Sequence, residues 1–199
     1  MQEQIFYIHG GNAYSHYDDF LKALREKTIW YPHGDKPKLW GSRLRESLPD
    51  YEVFTPEMPN AENAKYQEWK IWFERHFEFI NDGVTLLGWS LGGYFLLKYL
   101  SENKPPFKID TLLLVASPVK PDDFGGEDGG DFSFDVATLH VLMNKIENIH
   151  IFHSKDDFAV PYEHALELKE ILPSANLHTF EDRNHFLQEE FPELISLIK

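Results

Sequence analysis

The stretch VTLLGWSLGGYFLLKYL (84–100) sets a serine between glycines at the seam of two apolar runs. Residues 84–89 suit a buried strand, and 91–102 carry the spacing of a helix. Gly88-Trp89-Ser90-Leu91-Gly92 fits G-x-S-x-G. Three fixed positions in five arise often by chance, so the pattern alone is weak. Its context is the stronger signal: a strand running into the serine and a helix running out are what a nucleophile elbow needs. Flanking glycines relieve Cβ clashes at a sharp turn, which lifts the Ser90 hydroxyl clear of the sheet edge. The helix N-terminus then aims backbone N–H groups at the reacting centre, and Gly93 lets the helix pack closely on the strand.

Outward from this seam the chain alternates. IFYIHGG (5–11), YEVFTPEMP (51–59), IDTLLLVASP (109–118), HIFHSKDD (150–157) and ANLHTFED (175–182) read as strands. YDDFLKALREK (17–27), AKYQEWKIWFERHFEFI (64–80), PYEHALELKEILP (161–173) and FPELISLIK (191–199) read as helices. Phe20, Leu21 and Leu24 stand at helical spacing in the first; Trp69, Trp72, Phe73, Phe77 and Ile80 form a stripe in the second, read as helix core. Near-continuous apolar strands imply a sheet covered on both faces, hence an α/β fold: a three-layer α/β/α sandwich on a mostly parallel sheet of about six strands. The 199 residues suit a single domain spanning 1–199.

Two segments interrupt the rhythm. WYPHGDKPKLWGSR (30–43) is punctuated by proline and glycine, and PDDFGGEDGGDFSFD (121–135) by glycine and aspartate, with a short helix expected over 136–147. The stretch 119–148 is a candidate lid or insertion.

Composition narrows the function classes. Thirty-three acidic residues against nineteen Lys and Arg give a net charge of −14, which repels nucleic-acid backbones. The chain has no cysteine, so disulfides, thiolate metal sites and cysteine nucleophiles are excluded. The start, QEQIFYIHGG, has no basic region before a long apolar run, and apolar stretches stop short of the roughly 18 residues of a membrane span. The expectation is a cytoplasmic protein with no membrane segment. His150 and His153 stand three apart on a strand and face opposite sides, so they do not chelate one metal ion; GGEDGGD lacks the spacing of a calcium loop. No cofactor or metal is expected.

A serine nucleophile needs a base and an orienting acid. Of the ten histidines, His185 alone follows the last strand in the chain order Ser…Asp…His; His33, His76, His140 and His164 match no strand end, and His9 is read as structural within the first glycine turn. Asp156 and Asp157 both lie just past a strand. Asp157, in D-x-x-V-P before Pro161, is favoured, and Asp156 is read as a turn-capping residue. An oxyanion hole needs two donors: Leu91 N–H is one, and Gly11 N–H, with Asn12 as the fallback, is the other. Trp89 either lines the pocket or packs beneath the elbow.

HGGN after the first strand, GWSLGG, SKDDFAVP and the NHF that precedes a terminal helix together resemble the α/β-hydrolase fold. More narrowly, the chain resembles the small, nearly lidless serine hydrolases related to retinoblastoma-binding protein, a family regarded as esterases. That resemblance implies Ser90 as nucleophile, Asp157 as acid and His185 as base. The first reading is a serine hydrolase that cleaves a carboxylic ester, and the short intervening segments suggest an open site that accepts small acyl groups. The family usually has glycine before the histidine; here Asn184 stands, and asparagine tolerates the left-handed conformation. Amide or thioester cleavage fits the same groups, and the second reading is a hydrolase-fold protein-binding module with an idle triad.

Overall fold

A computed structural model describes residues 2–29, 31, 33–34, 37–121 and 127–199. Its centre is a six-stranded, all-parallel sheet in the order β2-β1-β3-β4-β5-β6. The strands are β1 (Gln4–Ile8), β2 (Glu52–Phe54), β3 (Val84–Trp89), β4 (Ile109–Val115), β5 (Asn148–Ser154) and β6 (Asn176–Phe180). The helices are α1 (Tyr17–Glu26), α2 (Leu44–Ser47), α3 (Tyr66–Arg75), α4 (Leu91–Glu102), α5 (Glu163–Ile171) and α6 (Pro192–Ile198). Among the described residues no helix is long and apolar enough to cross a membrane.

Alternate residues of each strand feed two cores. Phe6, Ile8, Leu86, Leu112, Leu114, Ile149 and Ile151 pack with α3, α4 and α5 on one face. Ile5, Tyr7, Leu87, Leu113, Val115 and Phe152 pack with Trp40, Leu44, Leu48 and α6 on the other. This is the three-layer sandwich expected from strands apolar on both faces. The chain leaves β1 for β2 on one side and returns to β3 on the other. The crevice at this switch point, beyond the carboxyl ends of β1 and β3, is where open α/β sheets place ligands.

The structure departs from the sequence expectations in several elements. None of the residues of α1 is buried, and Leu24 is exposed, so its apolar spacing does not build core. In α3, Trp69 and Phe73 are fully buried, while Trp72 lies exposed against His76, because it flanks the stripe that faces the sheet. The segment after Trp30, itself outside the described residues, contains a short 3-10 turn at Trp40–Arg43 leading into α2. Within 119–148, residues 122–126 lie outside the described residues. The later part of that stretch is core: Phe132, Leu139 and Leu142 are fully buried, and Val136–Asn144 is a 3-10 helix rather than an α-helix.

Candidate active site

Ser90 sits between β3 and α4 with φ 54° and ψ −123°, a conformation that costs a non-glycine residue about 1–3 kcal/mol. The surrounding backbone holds it there. Ser90 N–H donates to Val115 O at 2.8 Å, and its own carbonyl accepts from Gly93 N–H and Tyr94 N–H. The positive φ belongs to the serine; the neighbouring glycines serve close approach instead. A Cβ on Gly92 would lie 2.2 Å from Ile8 O, and one on Gly88 would lie 2.6 Å from the Gly93 Cα. These contacts draw α4 onto β1 and β3 and aim its first turn at the crevice.

His185 comes from the turn after β6. Its Nε2 accepts the Ser90 Oγ–H at 2.9 Å, and its Nδ1–H donates to Asp157 at 2.9 and 3.0 Å. Asp157 follows β5 with its side chain fully buried. Its Oδ1 also accepts from Ala159 N–H and Val160 N–H, each at 2.9 Å, which satisfies the charge and fixes the carboxylate plane. The structure therefore brings Ser90, His185 and Asp157 into one hydrogen-bonded chain. Asp156 points elsewhere: it accepts from Ser154 Oγ–H at 2.5 Å and from Asn184 N–H at 2.9 Å, tying the turn that carries His185 to the end of β5.

That turn has two left-handed residues, Asn184 (φ 48°) and Phe186 (φ 56°). Two indoles pin it. Trp89 Nε1–H donates to His185 O at 3.0 Å, and Trp40 Nε1–H donates to Phe186 O at 2.9 Å. Trp89 thus holds the histidine from behind and also lines the cavity. Trp40 was not singled out in the sequence, because its partners lie far along the chain.

At the end of β1, His9 Nδ1–H donates to Gly10 O at 2.6 Å, and its Nε2 accepts from Met58 N–H, so the ring braces the glycine turn. Asn12 N–H is committed to Ala61 O at 2.8 Å, which removes it as an oxyanion donor. Gly11 N–H makes no hydrogen bond among the described residues, and Leu91 N–H lies in the first turn of α4, where no intrahelical acceptor exists. Gly10, Gly11, Asn12, Ser90, Leu91 and His185 all line one cavity of about 680 Å³.

The cavity has two unlike walls. Trp89, Leu91, Pro118, Phe158 and Val160 make an apolar one, with Phe158 standing 71% exposed at the rim. Asn12, Glu62 and Glu127 make a polar one. Glu62 pairs with Lys27, and Asn12 Nδ2–H donates to Glu127. Burial pushes the Glu127 carboxyl above its ordinary range, against the Asn12 hydrogen bond. Neither wall was legible as such in the sequence. No group of three or more metal-ligating side chains occurs among the described residues; His150 pairs with His178 across the sheet, while His153 is buried on the opposite side.

No family profile matches the chain. It is 26% identical over 163 residues to serine hydrolase RBBP9 of Rattus norvegicus, covering 80% of this chain and 83% of that one. Its fold is similar to that of the ydeN gene product of B. subtilis, with a TM-score of 0.71 at 19% identity, covering 98% and 96% of the two chains. It is also similar to a Paleococcus ferrophilus monoacylglycerol lipase, with a TM-score of 0.59 at 14% identity over 98% and 91%.

Proposed function

We propose, from the premise that this chain is an α/β hydrolase of the serine-hydrolase type, that it cleaves a carboxylic ester of a small acyl group through an acyl-enzyme. One observation carries the reading: Ser90 Oγ, His185 and Asp157 form an unbroken hydrogen-bonded chain at the mouth of a cavity. His185 Nε2 takes the Ser90 proton as Oγ attacks the carbonyl carbon. Asp157 holds the Nδ1–H tautomer and stabilises the imidazolium. The Gly11 and Leu91 amides receive the oxyanion. His185 then returns its proton to the leaving alkoxide, and water repeats the sequence on the acyl-enzyme.

The apolar wall at Phe158 and Val160 takes the acyl chain, and the cavity volume suits a small ligand. The test is covalent labelling by a fluorophosphonate, followed by turnover of acyl esters of graded chain length. Wild-type protein is expected to label and Ser90→Ala not to label. Folded wild-type protein that stays unlabelled overturns the reading and favours a binding role for the fold.

A further inference from the structure

Beneath the acid lies a second histidine that the mechanism above does not use. His153, near the end of β5, is fully buried. Its Nε2 is 2.9 Å from Val160 O and 3.6 Å from Asp157 Oδ2. The carbonyl decides the tautomer. Only an Nε2–H can satisfy it, so the proton sits there and Nδ1 carries the lone pair. Nδ1 is buried and has no hydrogen-bond partner among the described residues, so a second proton on the ring would be a buried, unsatisfied donor. Burial holds the ring below the ordinary histidine range, which agrees with the geometry. The titratable groups facing it are Asp157, His185 and His164, and the Tyr162 ring stands 5.9 Å away.

We infer that neutral His153 is a positioning residue for Asp157: its Nε2–H clamps Val160 O, and so fixes the turn whose amides orient the carboxylate toward His185. Val160 is held from both ends, by His153 on its carbonyl and by Asp157 Oδ1 on its N–H at 2.9 Å. Losing the first bond frees the backbone that sets the second. A neutral ring also leaves the Asp157 charge to His185; an imidazolium 3.6 Å away would draw on the same carboxylate. His153 itself touches none of the cavity; its influence reaches the site through the Val160 backbone, which lines it.

The inference rests on the reading of Asp157 as the acid. Glutamine reaches as far as the imidazole and offers an N–H donor, whereas phenylalanine fills the site without one. His153→Gln is expected to keep turnover within about threefold of wild type, and His153→Phe to lose about 10- to 100-fold in kcat. A folded His153→Phe with wild-type kcat, or a His153→Gln as impaired as His153→Phe, overturns the inference. Nitrogen NMR of the wild-type protein supplies a readout that does not depend on the variants folding. A ring held as the Nε2–H tautomer and still neutral where an ordinary histidine protonates is expected; an Nδ1–H tautomer or titration near the ordinary histidine value overturns the inference. Failure here with Ser90→Ala still abolishing labelling removes only the role of His153. Labelling that survives Ser90→Ala removes Ser90 as the nucleophile, and with it the reading on which this inference rests.

Discussion

Two adjacent aspartates close β5, and their surroundings give them different work. Asp157 is buried, bonded to two amides and to the Nδ1–H of His185. Asp156 joins Ser154 to Asn184 at the surface. Asp157→Asn keeps the shape but presents an amide to Nδ1, which favours the wrong imidazole tautomer. Turnover is expected to fall on the order of 10⁴-fold, the scale such a change has in serine hydrolysis. Asp156→Asn still offers an oxygen to both of its donors, so its cost is expected to stay within about threefold, or under 1 kcal/mol. Steady-state kinetics of the two variants decide the matter, and the reverse ranking would transfer the acid's role to Asp156.

At the scale of elements, β3 and α4 match the boundaries read from the sequence, because the glycine-serine seam marks where one period gives way to the other. The strands were legible since each is a short apolar run between turn residues. The turn at Trp40–Arg43 and α2 were not. Their apolar residues are few and lie among proline, glycine and charge, and only contact with Tyr7, Trp89 and Phe191 makes Trp40 a core residue. Ser90, Asp157 and His185 were legible because each follows a strand and carries a recognisable neighbour. His153, Phe158 and Glu127 depend on which loops meet in space, which no local pattern records.

The pairing of β5 with β6 has an acid-sensitive consequence. His150 Nδ1 and His178 Nε2 lie 2.9 Å apart, and the His178 ring stacks on Phe152 at 4.4 Å. One neutral ring donates to the other; two imidazolium rings would set N–H against N–H. Burial, and for His150 also the neighbouring ring, holds both below 6.5. In the unfolded chain both protonate first as pH drops, so the unfolded state binds more protons in that range. The stabilisation is therefore complete above about pH 6.5 and declines as pH falls toward the folded-state values. Thermal melts from pH 8 to 5 are expected to show this decline, and His178→Phe, which keeps the stack and removes one proton site, is expected to make it shallower. An unchanged slope would place the acid sensitivity elsewhere.

Across the whole molecule, the two cores divide the labour of the site. The face carrying α3, α4 and α5 positions Ser90; the opposite face, with Trp40, α2 and α6, holds the turn of His185. The distance between Ser90 and His185 therefore depends on how both layers seat on one sheet. Trp40 is the link: it is 3% exposed, its N–H donates to Gln188 O at 3.0 Å, and its indole donates to Phe186 O. Trp40→Phe retains a ring against Tyr7 and Phe191 but leaves the Phe186 carbonyl unpaired, at a cost of about 1–3 kcal/mol. For a chain of this size each kcal/mol lowers Tm by about 2–4 °C. If the turn is held from this face, kcat falls along with stability, by about 10- to 100-fold for a base displaced by an ångström, while KM stays near its wild-type value because Trp40 does not line the cavity. Melting and kinetics measured on the same sample separate the outcomes. A lower Tm with undiminished kcat would confine Trp40 to packing and leave Trp89 and Asp156 to hold the histidine turn.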